Sequence, residues 1–146
     1  MSAMTNYLEN KLIDQIFRGV AYTFPGTLYV SLFTAAPSDA AGGTEVTGGN
    51  YGRVSVVANA TNWAATNAAG STANPSTGTG GTTSNNGVLT FPTPSADWGT
   101  ITHFGIWDNT SGGNLLFWGA LSASKAVFTS DAVSIQISQL QVQIDD

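Results

Sequence analysis

The sequence predicts a mainly β domain, an antiparallel β-sandwich or open barrel with one N-terminal α-helix. Three observations predict it. Short runs of alternating apolar and polar residues recur down the chain, separated by breaks rich in Gly, Pro, Asn and Ser. Only one stretch, near the N-terminus, carries a helical period. Residues 101–121 (ITHFGIWDNTSGGNLLFWGAL) read as a β-hairpin, with two apolar arms around the polar break 108–114. In its first arm Phe104 and Ile106 share one face, and Ile101 and Trp107 share the other. A strand with bulk on both faces belongs in the middle of a sandwich or at a subunit contact.

The elements follow in order. Residues 5–19 form the helix: Asn6 and Glu9 fit an N-cap and its box partner, and Gly19 is a stop. Leu8, Leu12, Ile13, Ile16 and Phe17 recur at the helical period, a stripe that either covers an open side of the sheet or packs on a neighbouring subunit. Residues 27–34 (TLYVSLFT) alternate as a strand, ended before Pro37. After a Gly/Thr-rich loop, residues 51–58 (YGRVSVVA) form the next strand. Residues 64–87 are almost wholly Ala, Thr, Ser, Asn and Gly. They bury too little apolar surface to offset ordering on their own, which predicts either a flexible segment or an arm ordered by assembly. Residues 88–91 (VLTF) form a short strand stopped by Pro92 and Pro94. Asp97-Trp98-Gly99 turns with an aromatic plug, and the hairpin follows. Residues 122–130 are a polar connection with a brief apolar run. In residues 133–144 the apolar positions change from odd to even between Ser138 and Gln139. One strand with a β-bulge there, or two short strands with a bend, accounts for the change. The total is six or seven strands in a single domain spanning residues 1–146.

Composition narrows the function. The 146 residues suffice for one domain with a real core. Charged residues make up 9 %, against roughly a quarter in ordinary domains. The surface is therefore built from small polar residues, which suits a packed assembly component. Net charge is -5, and the four cations Lys11, Arg18, Arg53 and Lys125 are scattered. Direct nucleic-acid binding needs clustered positive charge and is not expected. No stretch has the length and apolarity of a membrane span, and no signal-peptide pattern opens the sequence, so no membrane association is expected. Cysteine is absent, which leaves no disulfide framework.

No catalytic constellation emerges, so the chain is expected not to be an enzyme. His103 is the only histidine, and no cysteine is present to help it build a zinc site. It sits in an apolar arm and reads as a packed residue. A Ser-His-Asp relay with Asp97 or Asp108 is formally open, but no nucleophile elbow is present. The glycine pairs 42–43 and 48–49 lack the lysine or helix of a phosphate-binding loop. Glu9 and Asp14 are not paired by helical spacing. No catalytic, cofactor-binding or metal-ligating residue is assigned, and no cofactor is expected. Of the four tryptophans, Trp107 and Trp118 lie on the hairpin arms and are candidate contact residues. With Leu12, Ile16 and Phe17 of the helix they form the candidate interface set.

Several stretches together resemble a known family. Residues 6–56 and 88–121, above all Leu28–Pro37, Thr44–Arg53 and Phe91–Leu121, are similar to small proteins encoded in the structural gene regions of tailed bacteriophages. Members are described as tail-fibre-like or as capsid decoration proteins. The resemblance covers nearly the whole chain and is weakest over residues 64–87. It implies a virion structural protein with no catalytic residues. The first expectation is a capsid decoration (cement) protein on the outer surface of the head, stabilising it through contacts with the major capsid protein and with copies of itself as a trimer. The alternative is a tail, tail-fibre or baseplate component that contacts other tail proteins and binds host-surface glycan. The short chain without repeats or coiled coil is the argument for the head.

Overall fold

The computed structural model describes residues 2–66 and 69–144. In chain order the elements are β1 (Ser2–Met4), α1 (Asn6–Phe17), β2 (Thr27–Ala35), β3 (Thr44–Glu45), β4 (Val54–Val57), β5 (Thr82–Ser84), β6 (Leu89–Thr90), β7 (Gly99–Trp107), β8 (Leu115–Val127), β9 (Ser134–Ile135) and β10 (Gln141–Gln143). The main sheet is antiparallel in the order β1-β8-β7-β2. Beyond β2, β4 pairs with its first half and β3 with its last residues. Two further ribbons, β5 with β10 and β6 with β9, supply residues to the same core. The arrangement is sandwich-like, and the sheet does not close into a barrel.

Register explains where the core sits. Val30 lies opposite Ile106, Leu32 opposite Phe104, and Ile106 in turn opposite Phe117. These side chains share one face and meet Leu89, Phe91, Leu140 and Val142 from the ribbon side. The reverse face is packed too. Ser31 and Phe33 of β2 are buried beside Gly105, whose absent side chain leaves the space they occupy. A Cβ built there would stand 2.7 Å from a Phe33 ring carbon and 2.8 Å from Leu115 Cδ1. The two-faced bulk of the hairpin thus reflects a strand covered on both sides. Its second arm runs on to Val127, so most of the polar connection expected at 122–130 is strand.

The helix begins one residue earlier in function than expected. Thr5, not Asn6, holds the N-cap backbone conformation, and Asn6 is the first helical residue. Neither side chain caps. The Thr5 hydroxyl instead donates to the Leu115 carbonyl, and the Asn6 N–H donates to the Asp39 carbonyl. Tertiary bonds to the sheet have replaced the local cap. Gly19, at φ +67°, ends the turn that follows Arg18. Of the helical residues only Leu8 is buried.

Two further expectations are corrected. Residues 51–53 precede the strand rather than belong to it, because Tyr51 turns its ring into the core and bonds across to β2. Residues 133–144 are two short strands with a bend, not one bulged strand. Ser138 takes φ +63°, and the two halves pair with different ribbons. The lock between them is Asn85, which is fully buried. Its carboxamide donates to the Gly87 and Gln136 carbonyls and accepts from the Leu140 N–H. The two ends of the Ala/Thr/Ser/Asn stretch pack on the domain. Ala64 and Ala65 are buried, Trp63 bridges to Asn85, and residues 82–84 pair with β10. Residues 69–80 run almost wholly exposed, and residues 67–68 lie outside the described residues.

Candidate functional site

Four features follow from this fold: a polar node at the hairpin loop, two open grooves, and the outer side of α1. The node is centred on Arg53. Its guanidinium grips the Glu45 carboxylate at 2.8 Å through both Nε and Nη2. Its Nη1 donates to the loop carbonyls of Asn109 and Gly112 at 2.8 and 2.9 Å. The cation lies 3.8 Å from the centre of the Trp107 ring. Trp107 in turn stacks on Phe33 and donates its indole N–H to Ser31 Oγ at 2.8 Å. Glu45 also accepts from the Tyr51 hydroxyl, which itself accepts the Leu32 N–H. Burial pushes the Tyr51 phenol well above its ordinary value, with the Glu45 charge adding to the rise. Within the loop, Asp108 accepts both the backbone and side-chain N–H groups of Asn114.

Every charged group in this node already has its partners, so it holds the loop and offers no free acid, base or nucleophile. His103 is half-buried and bonds Thr102 through Nδ1, tilted against Trp118. Asp97 accepts from the N–H and hydroxyl of Thr129, and Asp108 is taken by Asn114, so neither carboxylate meets His103. The formal Ser-His-Asp relay is not assembled. Among the described residues no group of three His, Asp or Glu could hold a metal. No helix among them is long and apolar enough to cross a membrane.

The tryptophans divide. Trp98 is buried and donates to the Gly49 carbonyl at 2.9 Å. Trp107 and Trp118 are half-buried on the reverse face of the sheet, and Trp118 reaches Asp39 Oδ1 at 3.3 Å. Trp63 is half-buried beside an apolar groove of about 580 Å³ that also involves Leu28, Phe117 and Val142. A second groove, about 720 Å³, lies between β8 and the C-terminal strands; Gln136, Gln139, Gln141 and Ser122 line it without a charged side chain.

The helix set is placed differently. Leu12 is half-buried toward the domain, while Ile16 and Phe17 are 65 % and 79 % exposed. Ile13 and Val20, and Phe24 in the returning segment, are exposed with them. The helical stripe contained two apolar directions, and sequence reasoning merged them. Angular spacing was the available signal: Leu8 and Leu12 fall roughly a third of a turn from the centre of the set Ile13, Ile16 and Phe17. Arg53 was also missed, although a lone arginine in a valine-rich stretch was visible.

An apolar helix face and a chemically closed polar node suit a component that works by contact. Comparison with curated proteins finds no match. Comparison with family models matches residues 3–143 to the family described as Podophage GP4 fiber I protein gp80. The chain therefore belongs to this phage fibre protein family and is a bacteriophage virion structural protein.

Proposed function

We propose that the chain is a structural component of the phage tail, part of a fibre or of its attachment. It acts by binding other tail proteins and copies of itself. The observation that carries this reading is the fibre family match across residues 3–143. It favours the tail over the head-decoration role that chain length and low charge also suggest, and it makes neighbouring tail proteins, rather than the major capsid protein, the expected partners. The exposed side of α1 supports a contact role, since an ordered apolar helix face at a protein surface marks an interaction site.

Labelling the protein in intact particles tests this directly. Gold-conjugated antibody should decorate the tail, and quantitative mass spectrometry should find it in a small multiple of the tail symmetry. Label spread over the head, at a stoichiometry near that of the major capsid protein, would overturn the tail reading in favour of decoration.

A further inference from the structure

We infer that the outer stripe of α1 is a self-association surface that pairs with the same stripe on a second copy of this chain. The inference extends the contact role proposed above and rests on it for the expectation that copies meet. Ile13, Ile16 and Phe17 follow the i, i+3, i+4 spacing that puts them on one side of α1, and Val20 is exposed just past its end, beyond the left-handed Gly19. Their exposures are 49, 65, 79 and 52 %. None of them belongs to the domain's own core.

The arm that carries the stripe is held in place rather than loose. Past the helix, the Arg18 and Val20 N–H groups both donate to the Asp14 carbonyl, and the Tyr22 N–H donates to Gln15 Oε1. Tyr22 then packs edge-on against Tyr7 and Phe24. The returning segment is thereby fastened to the helix, and the stripe is presented in a fixed shape. A pre-ordered surface loses little freedom on binding.

Area and charge identify the occupant. At these exposures the four residues present roughly 450 Å², a little over half of the ~800 Å² that each partner contributes to a standard interface. The apolar patch can thus form the centre of a homodimer contact whose remaining area is a polar rim. A two-fold contact is isologous, so the same apolar stripe can serve both sides. Charge points the same way. Glu9, Lys11, Asp14 and Arg18 cancel, with Arg18 paired to Asp14 at 3.2 Å, so the chain's net charge of -5 lies on the rest of the molecule. Two copies meeting through α1 avoid the like-charge repulsion that other faces would impose.

Sedimentation equilibrium on the purified full chain tests the inference, independently of where the protein sits in the virion. The wild-type chain should associate with rising concentration. The double variant Ile16→Glu/Phe17→Glu should associate at least tenfold more weakly, with unchanged circular dichroism. A wild-type chain that stays monomeric into the high micromolar range would overturn the inference, and so would a variant that associates equally well. A second measurement guards against misfolding of that variant. The sequence has no cysteine, so Phe17→Cys with a short thiol cross-linker should give covalent dimers, and Ser111→Cys in the hairpin loop should not. Equal cross-linking at both positions would contradict a specific α1 contact, and a failed tail placement in particles would leave this result standing.

Discussion

The Arg53 node and the outer side of α1 stand at opposite extremes of the same molecule. The node concentrates charge where the side chain of Arg53 is only 6 % exposed, yet each of its three nitrogens donates to an acceptor and its flat face covers an indole. The helix does the reverse: it leaves Phe17 at 79 % exposure, in water. Desolvating a charge is tolerated where partners are complete, and apolar surface left in water is tolerated where something else will cover it. Both Trp107 and Phe17 read as contact candidates from the sequence; Trp107 packs within the node, while Phe17 lies on the exposed side of α1 that is proposed above to meet a second copy.

The sharpest way to break this contrast is to empty the node. Arg53→Ala removes the fork on Glu45, both loop anchors and the cation above Trp107. It leaves a carboxylate that is 21 % exposed without its cation. Urea unfolding should show a loss of about 3 kcal/mol, toward the lower end for a broken buried pair because Glu45 keeps some solvent. Next in size is Gly105→Ala. Its methyl would meet Phe33, Leu115 and Ser31 well inside normal contact, so overpacking should cost about 1–3 kcal/mol by the same measurement. A neutral result would show that the reverse face of the hairpin is looser than the contacts imply. The smallest effect belongs to the helix. Under conditions where the chain is monomeric, Ile16→Glu/Phe17→Glu should change unfolding by no more than about 0.5 kcal/mol per site, because neither side chain supports the core. A loss as large as that of Arg53→Ala would mean that the stripe is part of the fold.

The features legible in the sequence were those set by period and punctuation. The hairpin could be read because apolar arms flank a polar, glycine-containing loop, and α1 because its apolar residues recur at a helical interval. Short strands without an apolar pattern could not be read. Thr44–Glu45 and Thr82–Ser84 contain no apolar alternation, and their pairing is imposed by β2 and β10. The N-cap was misplaced because the Thr5 hydroxyl serves a strand more than a hundred residues away. The bend in residues 133–144 depends on the buried Asn85 carboxamide, a long-range partner that no local pattern announces. At the candidate site, Ile16 and Phe17 could be named but their direction could not. Which apolar side of a helix faces its own domain is decided by where the sheet edge lies.

Hydrogen exchange, compared between the free chain at low concentration and the same protein in intact phage particles, tests the division of labour most directly. Amides of residues 13–24 should gain protection in the particle, while those of the hairpin loop 108–114, already anchored by Arg53 and Asp108, should exchange alike in both states. Unchanged exchange at residues 13–24 together with new protection at the loop would contradict the account, because it would place the contact surface at the node and leave the helix stripe without a partner.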